Sequence, residues 1–427
     1  MDKMTLFRRL TVGFLAPVVL LGLLSSPAQA ASPLKLTDIY NPLKVLKAEL
    51  SLPAESVASL NNSATFKVYV PGTLILSVDG KSSGVQEITI RLKGSTSMYK
   101  LDETPSFKIK FKKGPNGLGY LGLRRLTLNG MVQDNSKIHE FGAYNLFNAM
   151  GLPASKTGWV RLYINGVDRG LYVNVEQPDQ VFMAKRFKDI TQHVYEGVAR
   201  RDLQLGNDNG TATTGAFLVD YGWKVTPNKN DLTKLINYAS DWEDKTWYQG
   251  LLTVTDRAAL IRAFAVENFL GHWDSYTGPG INNYYLRSNT RNKFTYIPWG
   301  VDQTFGENRG TEVLGDTFNL PLISDSSPHP WSRSMNRGKL YVQCINYKPC
   351  RTQYLLELKA VSAMATKIKL GAQMRAAAAV IEPVLAAQYA NDKATLTLAH
   401  KEQARSIVYI ARRQAEVKAL LSKYNIK

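Results

Sequence analysis

The strongest constraint on how this chain folds is a change of period. From residue 65 to about 128, apolar and polar residues alternate with a period of two, the spacing that sends successive side chains to opposite faces of a strand. Residues 66–70, 73–78, 86–92, 106–111 and 124–128 are predicted strands, with Pro71-Gly72 and Asp79-Gly80 as turns. The period then lengthens. Asp134-Asn135-Ser136 offers helix caps, and Ile138, Phe141, Leu146 and Met150 share one helical face before Gly151 ends it. Residues 160–164 and 170–175 flank Asn165-Gly166 and read as a hairpin. Helical patterns follow at 231–242 and 256–273, then a second hairpin from 283–287 and 294–298. From about Tyr354 the remainder is almost wholly helical, with Pro383 as a break. The class is α+β: a sheet-rich first half, 65–178, and a helical second half, with no internal repeat. Residues 31–64, with Pro33, Pro42 and Pro53, are expected to wrap the surface. The polar, glycine-rich stretch 206–215 lacks the Gly-Lys-Ser/Thr ending of a phosphate-cradling loop and reads as a surface loop.

Residues 1–30 stand apart. Lys3, Arg8 and Arg9 precede an apolar run over 10–24, and Ala28-Gln29-Ala30 supplies a small-x-small cleavage pattern. This reads as a signal peptide; an uncleaved anchor is disfavoured by the shortness of the run and by Pro17. The mature protein is then exported, periplasmic or secreted to the cell surface, with no later stretch apolar enough to span a bilayer. Export gives Cys344 and Cys350, six positions apart, an oxidising compartment in which to close a small disulfide loop. The alternative is two separate buried thiols.

Charge narrows the partners. Lys and Arg number 53 against 35 Asp and Glu, a net charge of +18, so the partners are expected to be anionic. The excess is concentrated: residues 91–125 carry +7 and residues 333–427 carry +12. Lys108, Lys110 and Lys112 share one strand face, and three like charges on one face call for water or an anion. The C-terminal cluster is either a solvated helical face or a docking surface. Two cysteines exclude a four-cysteine zinc site, and the five histidines show no metal-ligand spacing. Gly94-Ser95-Thr96-Ser97 is not a nucleophile elbow, and there is no dinucleotide fingerprint.

The densest polar constellation lies between 272 and 307. Asp274 ends a helix, Asn283 begins a strand and Asp302 follows the paired strand, so a hairpin would group two carboxylates and a carboxamide at one mouth. Oxygen ligands of that kind suit Mg²⁺ or Mn²⁺. The plain alternative makes Asp274 a turn cap and Asp302 a surface acid.

Five separated blocks, in order, resemble the CotH kinase family, named for a spore-coat kinase and found among exported bacterial proteins. They are Arg91-Leu92-Lys93-Gly94-Ser95-Thr96-Ser97 with the stretch 105–111, then 128–140, 160–176, and the blocks around Asp274 and Asp302, spanning roughly 65–345. The resemblance implies an atypical protein-kinase-like fold of two lobes, transferring the ATP γ-phosphoryl group to protein Ser or Thr with Mg²⁺ or Mn²⁺. It implies phosphate binding by Lys108 or, two positions on, Lys110, with Arg91 beside them, and a helix glutamate, Glu140, paired with that lysine. Glu176, between the lobes, would meet adenine through its backbone. Asp274 would be the catalytic carboxylate, and Asp302 with Asn283 or Asn282 would hold the metal. Residues 179–352 become a C-lobe carrying the catalytic loops, and 353–427 a basic helical extension. One departure stands out: the family's Trp-Asp-x-Asp is here Trp299-Gly300-Val301-Asp302. A pseudokinase, or a non-catalytic scaffold binding anionic surface polymers or coat proteins through the basic C-terminal helices, therefore stays open. No recognisable nucleic-acid module is present.

Overall fold

The computed structural model describes residues 1, 32–94, 99–190, 192–197, 202–208, 217–240, 246–306, 317–323 and 337–426. The predicted signal peptide, beyond Met1, and most of the 206–215 loop lie outside the described residues.

The first half forms strands β1 (Ser32–Pro33), β2 (Val45–Ser51), β3 (Val70–Val78), β4 (Lys81–Ser82), β5 (Gln86–Lys93), β6 (Ser106–Phe111), β7 (Arg125–Asn129), β8 (Thr157–Ile164) and β9 (Val167–Val175). Their order is β1-β4-β3-β2-β8-β9-β7-β6-β5, and β3 also pairs with β5. That extra pairing closes seven strands into a ring, which leaves no long edge between β3 and β5. Alternation explains the interior: Leu46, Leu74, Ile88, Ile90, Phe107, Ile109, Leu126, Leu162 and Tyr172 are buried in one cluster. Two turns follow the chemistry of left-handed residues, Asp79-Gly80 and Asn165-Gly166, all four at positive φ.

Three expectations are corrected. Within 31–64, residues 45–51 do not wrap the surface but form β2, an interior strand between β3 and parallel β8. Its alternating Leu46, Ala48 and Leu50 are buried, a two-period signal that the neighbouring prolines masked. Pro71-Gly72 is no turn but part of β3, where a Cβ on Gly72 would lie 2.7 Å from Leu52 Cδ2, so the glycine serves close packing. Pro383 does not break its helix. The helix runs on because Ile381, Val384 and Leu385 are all buried while Pro383 faces solvent.

The described helices are α1 (Leu36–Ile39), α2 (Ala54–Asn61), α3 (His139–Ala149), α4 (Gln180–Arg186), α5 (Asn230–Ser240), α6 (Thr246–Val254), α7 (Arg257–Leu270), α8 (Lys339–Asn346), α9 (Lys348–Lys367), α10 (Leu370–Gln388) and α11 (Lys393–Lys423). A second sheet, β11-β10-β12-β13, comprises β10 (Val194–Gly197), β11 (Phe217–Tyr221), β12 (Tyr284–Ser288) and β13 (Phe294–Pro298). It shares a core with α3, α7 and the C-terminal helices, in which Phe147, Phe264, Tyr354, Met374 and Tyr409 are buried together. Cys344 and Cys350 form a disulfide between α8 and α9. Among the described residues no helix is long and apolar enough to cross a membrane.

One buried network ties β10 to α5. His193 Nδ1 lies 3.0 Å from Asp231 Oδ2, His193 Nε2 lies 2.6 Å from the Thr226 carbonyl, and the Tyr195 hydroxyl donates to Asp231 Oδ1 at 2.7 Å. Burial alone would depress the His193 pKa, but the Asp231 hydrogen bond and charge, with the Thr226 carbonyl, outweigh it and hold it above its ordinary value. A folded-state pKa above the unfolded one gives stability that is complete below about pH 6.5 and fades as pH rises through the folded value. The melting-temperature gap between the wild type and His193→Gln is therefore expected to be wider at about pH 6 than at about pH 8.5. A gap independent of pH would mean that the imidazole is neutral in the folded protein.

Candidate functional site

The site is assembled where β5, β6 and β7 meet the start of α3 and the loops at either end of the β12–β13 hairpin. Asp134 sets the start of α3: its Oδ2 accepts the His139 N–H at 2.9 Å and its Oδ1 accepts the Lys137 N–H at 2.9 Å. That places Glu140 in the first turn, buried, with its carboxylate accepting from Asn129 Nδ2 at 3.0 and 2.8 Å. Asn129, at the end of β7, also accepts from Lys93 Nζ at 2.7 Å. Lys93, Asn129 and Glu140 thus form one polar chain.

This corrects the expected pairing. The lysine that the structure brings to Glu140 is Lys93, at the end of β5, and not Lys108. Lys93 attracts both Glu140 and Asp302. Its position was legible only as a face, two residues beyond Arg91, and strand period does not say which lysine meets the helix. Lys108 instead faces Glu196 on β10 and Asp220 on β11, beside Lys93 and Arg91. Burial pushes its pKa down to about 8 against the attraction of Glu196. Lys110 turns to another neighbourhood: its Nζ lies 3.6 Å from the Tyr69 ring centroid, amid Arg125, Arg91 and Arg124. Arg91 lies over the same ring at 5.3 Å and donates to the Leu92 carbonyl at 3.1 Å.

The loop from His272 to Asn283 carries the first carboxylate. Asp274 Oδ2 accepts from Asn283 Nδ2 at 2.8 Å, and Asn282 Nδ2 lies 3.4 Å from both carboxylate oxygens. Burial, and then the charge of Asp302, push Asp274 up to about 7. Burial raises Asp302 and Glu140 as well, with Lys93 opposing in both cases. Lys93, Lys108, Asp274, Asn282, Asn283 and Asp302 are all partly exposed, the condition that lets a ligand reach them.

Below these groups the two loops are locked to each other. His272 Nε2 donates to the Gly300 carbonyl at 3.0 Å, Trp299 N to Asn283 O at 3.1 Å, and Trp273 Nε1 to Gln303 Oε1 at 3.1 Å. The buried Glu267 accepts from Thr277 Oγ1 at 2.9 Å and from the Tyr296 hydroxyl, fixing the far side of the Asp274 loop. None of these supports was read from the sequence, because each joins elements distant along the chain.

Glu176 is buried, paired with Arg186 at 2.6 Å, and its N–H donates to Lys156 O at 2.8 Å. Of the Glu176 backbone, expected to meet adenine, the N–H is thus committed within the protein.

Among the described residues, no three His, Cys, Asp or Glu side chains converge to hold a metal. The donor set nonetheless fits a hard cation that keeps water and takes substrate phosphates. It has two carboxylates, Asp274 and Asp302, the second raising the cost of ionising the first, and two carboxamides that supply further oxygens.

Gly300 takes the place of the resemblance's first aspartate. Its φ is 52°, and a Cβ there would lie 2.7 Å from Asn283 Cγ and Oδ1. The glycine is what the backbone and Asn283 require. Gly300→Asp is expected to cost about 1–3 kcal/mol in urea denaturation, from a strained backbone and a displaced Asn283. A variant as stable as the wild type would show that the loop has room for the second carboxylate.

A family model described as CotH kinase protein matches residues 90–417, reaching further toward the C-terminus than the sequence blocks did. The chain is 26% identical over 262 residues to "Invasin CotH2" of Rhizopus delemar, an alignment covering 57% of this chain and 42% of that protein. It is 24% identical over 206 residues to "Inner spore coat protein H" of Bacillus subtilis, covering 47% and 56%. The chain thus spans about half the length of the curated relatives it matches. Among solved structures, the Helicobacter pylori proinflammatory kinase CtkA aligns over 76% of this chain and 96% of that one, at 12% identity and a TM-score of 0.31. That superposition is too loose to carry an argument.

Proposed function

Because the chain belongs to the CotH kinase protein family, we propose that this site transfers the γ-phosphoryl group of ATP to a Ser or Thr hydroxyl of a protein, with Mg²⁺ or Mn²⁺. One observation carries the reading. Lys93, Asp274, Asn283 and Asp302, from three separate segments, are gathered around one another and left partly exposed. Phosphoryl transfer needs little covalent chemistry from the protein; it needs positioning and charge placed in advance.

In this reading Asp274, oriented by Asn282 and Asn283, accepts the proton of the acceptor hydroxyl. The hydroxyl oxygen bonds to the γ-phosphorus as the bond to the bridging oxygen breaks, and ADP leaves with that electron pair. Lys93 and Lys108 offer positive charge to the phosphates from the sheet side, with Lys110 and Arg91 further out. Asp302 with Asn283, and Asn282 beside it, would hold the metal, which would supply positive charge to offset that of the phosphates. Glu140 orders Lys93 through Asn129.

Asp302→Ala is expected to lower transfer of labelled γ-phosphate by at least ~100-fold, with Lys93→Ala next in severity, while circular dichroism and melting behaviour stay near wild type. Undiminished transfer by Asp302→Ala would overturn the assignment.

A second property rests on a separate observation. Within 337–426, each of the five acids is engaged locally: Glu357 with Arg262, Glu382 with His400, Asp392 with Thr395, Glu402 with Arg405, and Glu416 with Arg412 and Arg413. Lys359, Lys367, Lys369, Lys401, Lys418 and Lys423 are exposed. This supports an anionic macromolecular partner, in keeping with an exported protein whose relatives are named for a spore coat and for invasion. Lys359 and Lys418 line an open groove of about 490 Å³ between α9 and α11. Lys359→Glu with Lys418→Glu should elute from a polyanion resin at clearly lower salt than wild type; unchanged elution would place the contact elsewhere.

A further inference from the structure

We propose that helix α11 is a working part of the nucleotide site, and that His139 is the positioning residue through which it fixes the backbone of Asp302 against α3. The inference rests on the reading of Asp302 as a metal ligand and adds a support for it.

His139 opens α3, immediately before Glu140, and is fully buried. Its Nδ1 lies 3.0 Å from the carbonyl oxygen of Asp302, and its Nε2 lies 2.7 Å from Ser406 Oγ on α11. A carbonyl can only accept, so Nδ1 carries a proton toward Asp302 O, while Nε2 contacts a Ser406 hydroxyl that also lies 2.7 Å from the Glu402 carbonyl one turn back on α11. The ring also packs against Phe305, three residues beyond Asp302, at 5.1 Å between centroids. One imidazole therefore touches the glutamate helix, the Asp302 segment and the C-terminal helix.

The rest of the same α11 stripe does related work. Gln403 Nε2 donates to the Ser136 carbonyl at 3.1 Å, in the turn that starts α3. Tyr409 packs on Phe305 at 6.3 Å. Arg413, fully buried, donates to the carbonyls of Phe269 at 3.2 Å, Leu320 at 2.7 Å and Asn268, and so caps the end of α7 that leads into the Asp274 loop. Gln403, Ser406, Tyr409 and Arg413 recur at helical spacing on one buried face. A purely apolar stripe would bury as well. This one places Gln403 and Arg413 on backbone carbonyls of the segments that lead into Glu140 and Asp274, and Ser406 on the imidazole that reaches the Asp302 carbonyl. The family match runs to residue 417 and so contains all four.

Groups that orient a metal ligand tune metal affinity by 10–100-fold without touching the ion. Two substitutions separate the contacts. The amide nitrogen of His139→Asn falls near Nδ1 and keeps the donor to Asp302 O, whereas His139→Gln reaches toward Ser406 and loses it. The readout is the ratio of ATP dissociation constants without and with Mg²⁺, by calorimetry, with a melting temperature for each variant. His139→Gln is expected to lower that ratio by about 10–100-fold, His139→Asn to keep most of it, and Ser406→Ala to lower it several-fold at nearly wild-type melting temperature. Equal ratios in all three variants, or losses that merely track melting temperature, would overturn the role of His139 and α11. A wild-type affinity indifferent to Mg²⁺ would instead overturn the reading of Asp302 on which the proposal stands.

Discussion

Mutual repulsion among carboxylates sets the terms for the rest of the structure. Asp302 raises the cost of ionising both Asp274 and Glu140, and Asp134 adds to it for Glu140 and Asp302. Such a cluster persists only where the surrounding fold over-determines it. Lys93 offsets part of the charge, and the amides of Asn129, Asn282 and Asn283 satisfy oxygens that water would otherwise serve. The closed ring fixes the Lys93 end of β5, Asp134 fixes α3, and the hydrogen bonds between the two hairpin loops fix Asp274 relative to Asp302. Each support is individually ordinary; together they keep several carboxylates close to one another in a site where positive charge is needed to offset them.

The sequence was informative wherever the determining chemistry was local. Strand β6 was predicted residue for residue, the Asn165-Gly166 hairpin followed from two residues able to take positive φ, and the 283–287/294–298 hairpin brought Asp274 and Asp302 together as its geometry requires. It was uninformative wherever partners are distant. A period of two assigns Lys93 and Lys108 to a face but cannot say that β5, rather than β6, ends beside Glu140. Nothing in the spacing shows that β3 returns to pair with β5, or that the short apolar alternation in 45–51 belongs inside the sheet. Pro383 misled for the converse reason. A local rule predicts a break, yet the buried residues on either side hold the helix together.

Gly300 shows how a departure from a family pattern changes meaning once geometry is known. Read as a missing carboxylate, it suggests lost chemistry. Read in place, with positive φ and Asn283 pressed against it, it is the residue that lets Asn283 reach Asp274. The pairing of this glycine with that asparagine is a local solution to the packing of the two loops.

The parallel pairing of β2 with β8 has a consequence for how the molecule comes into being. Leu52, just past β2, shares two hydrogen bonds with Asn165 across 113 positions of chain. Parallel neighbours so far apart cannot pair until everything between them has been made, so the first interior strand of the ring waits for one of the last. During that interval Leu46, Ala48 and Leu50 have no partner on the β8 side. A nascent chain truncated anywhere before residue 164 would present this apolar strand to solvent, open to mispairing. The ring can thus close only once β8 and β9 have been made, by residue 175 of 427, and a chaperone or holding factor would have most to do in the stretch before β8 emerges.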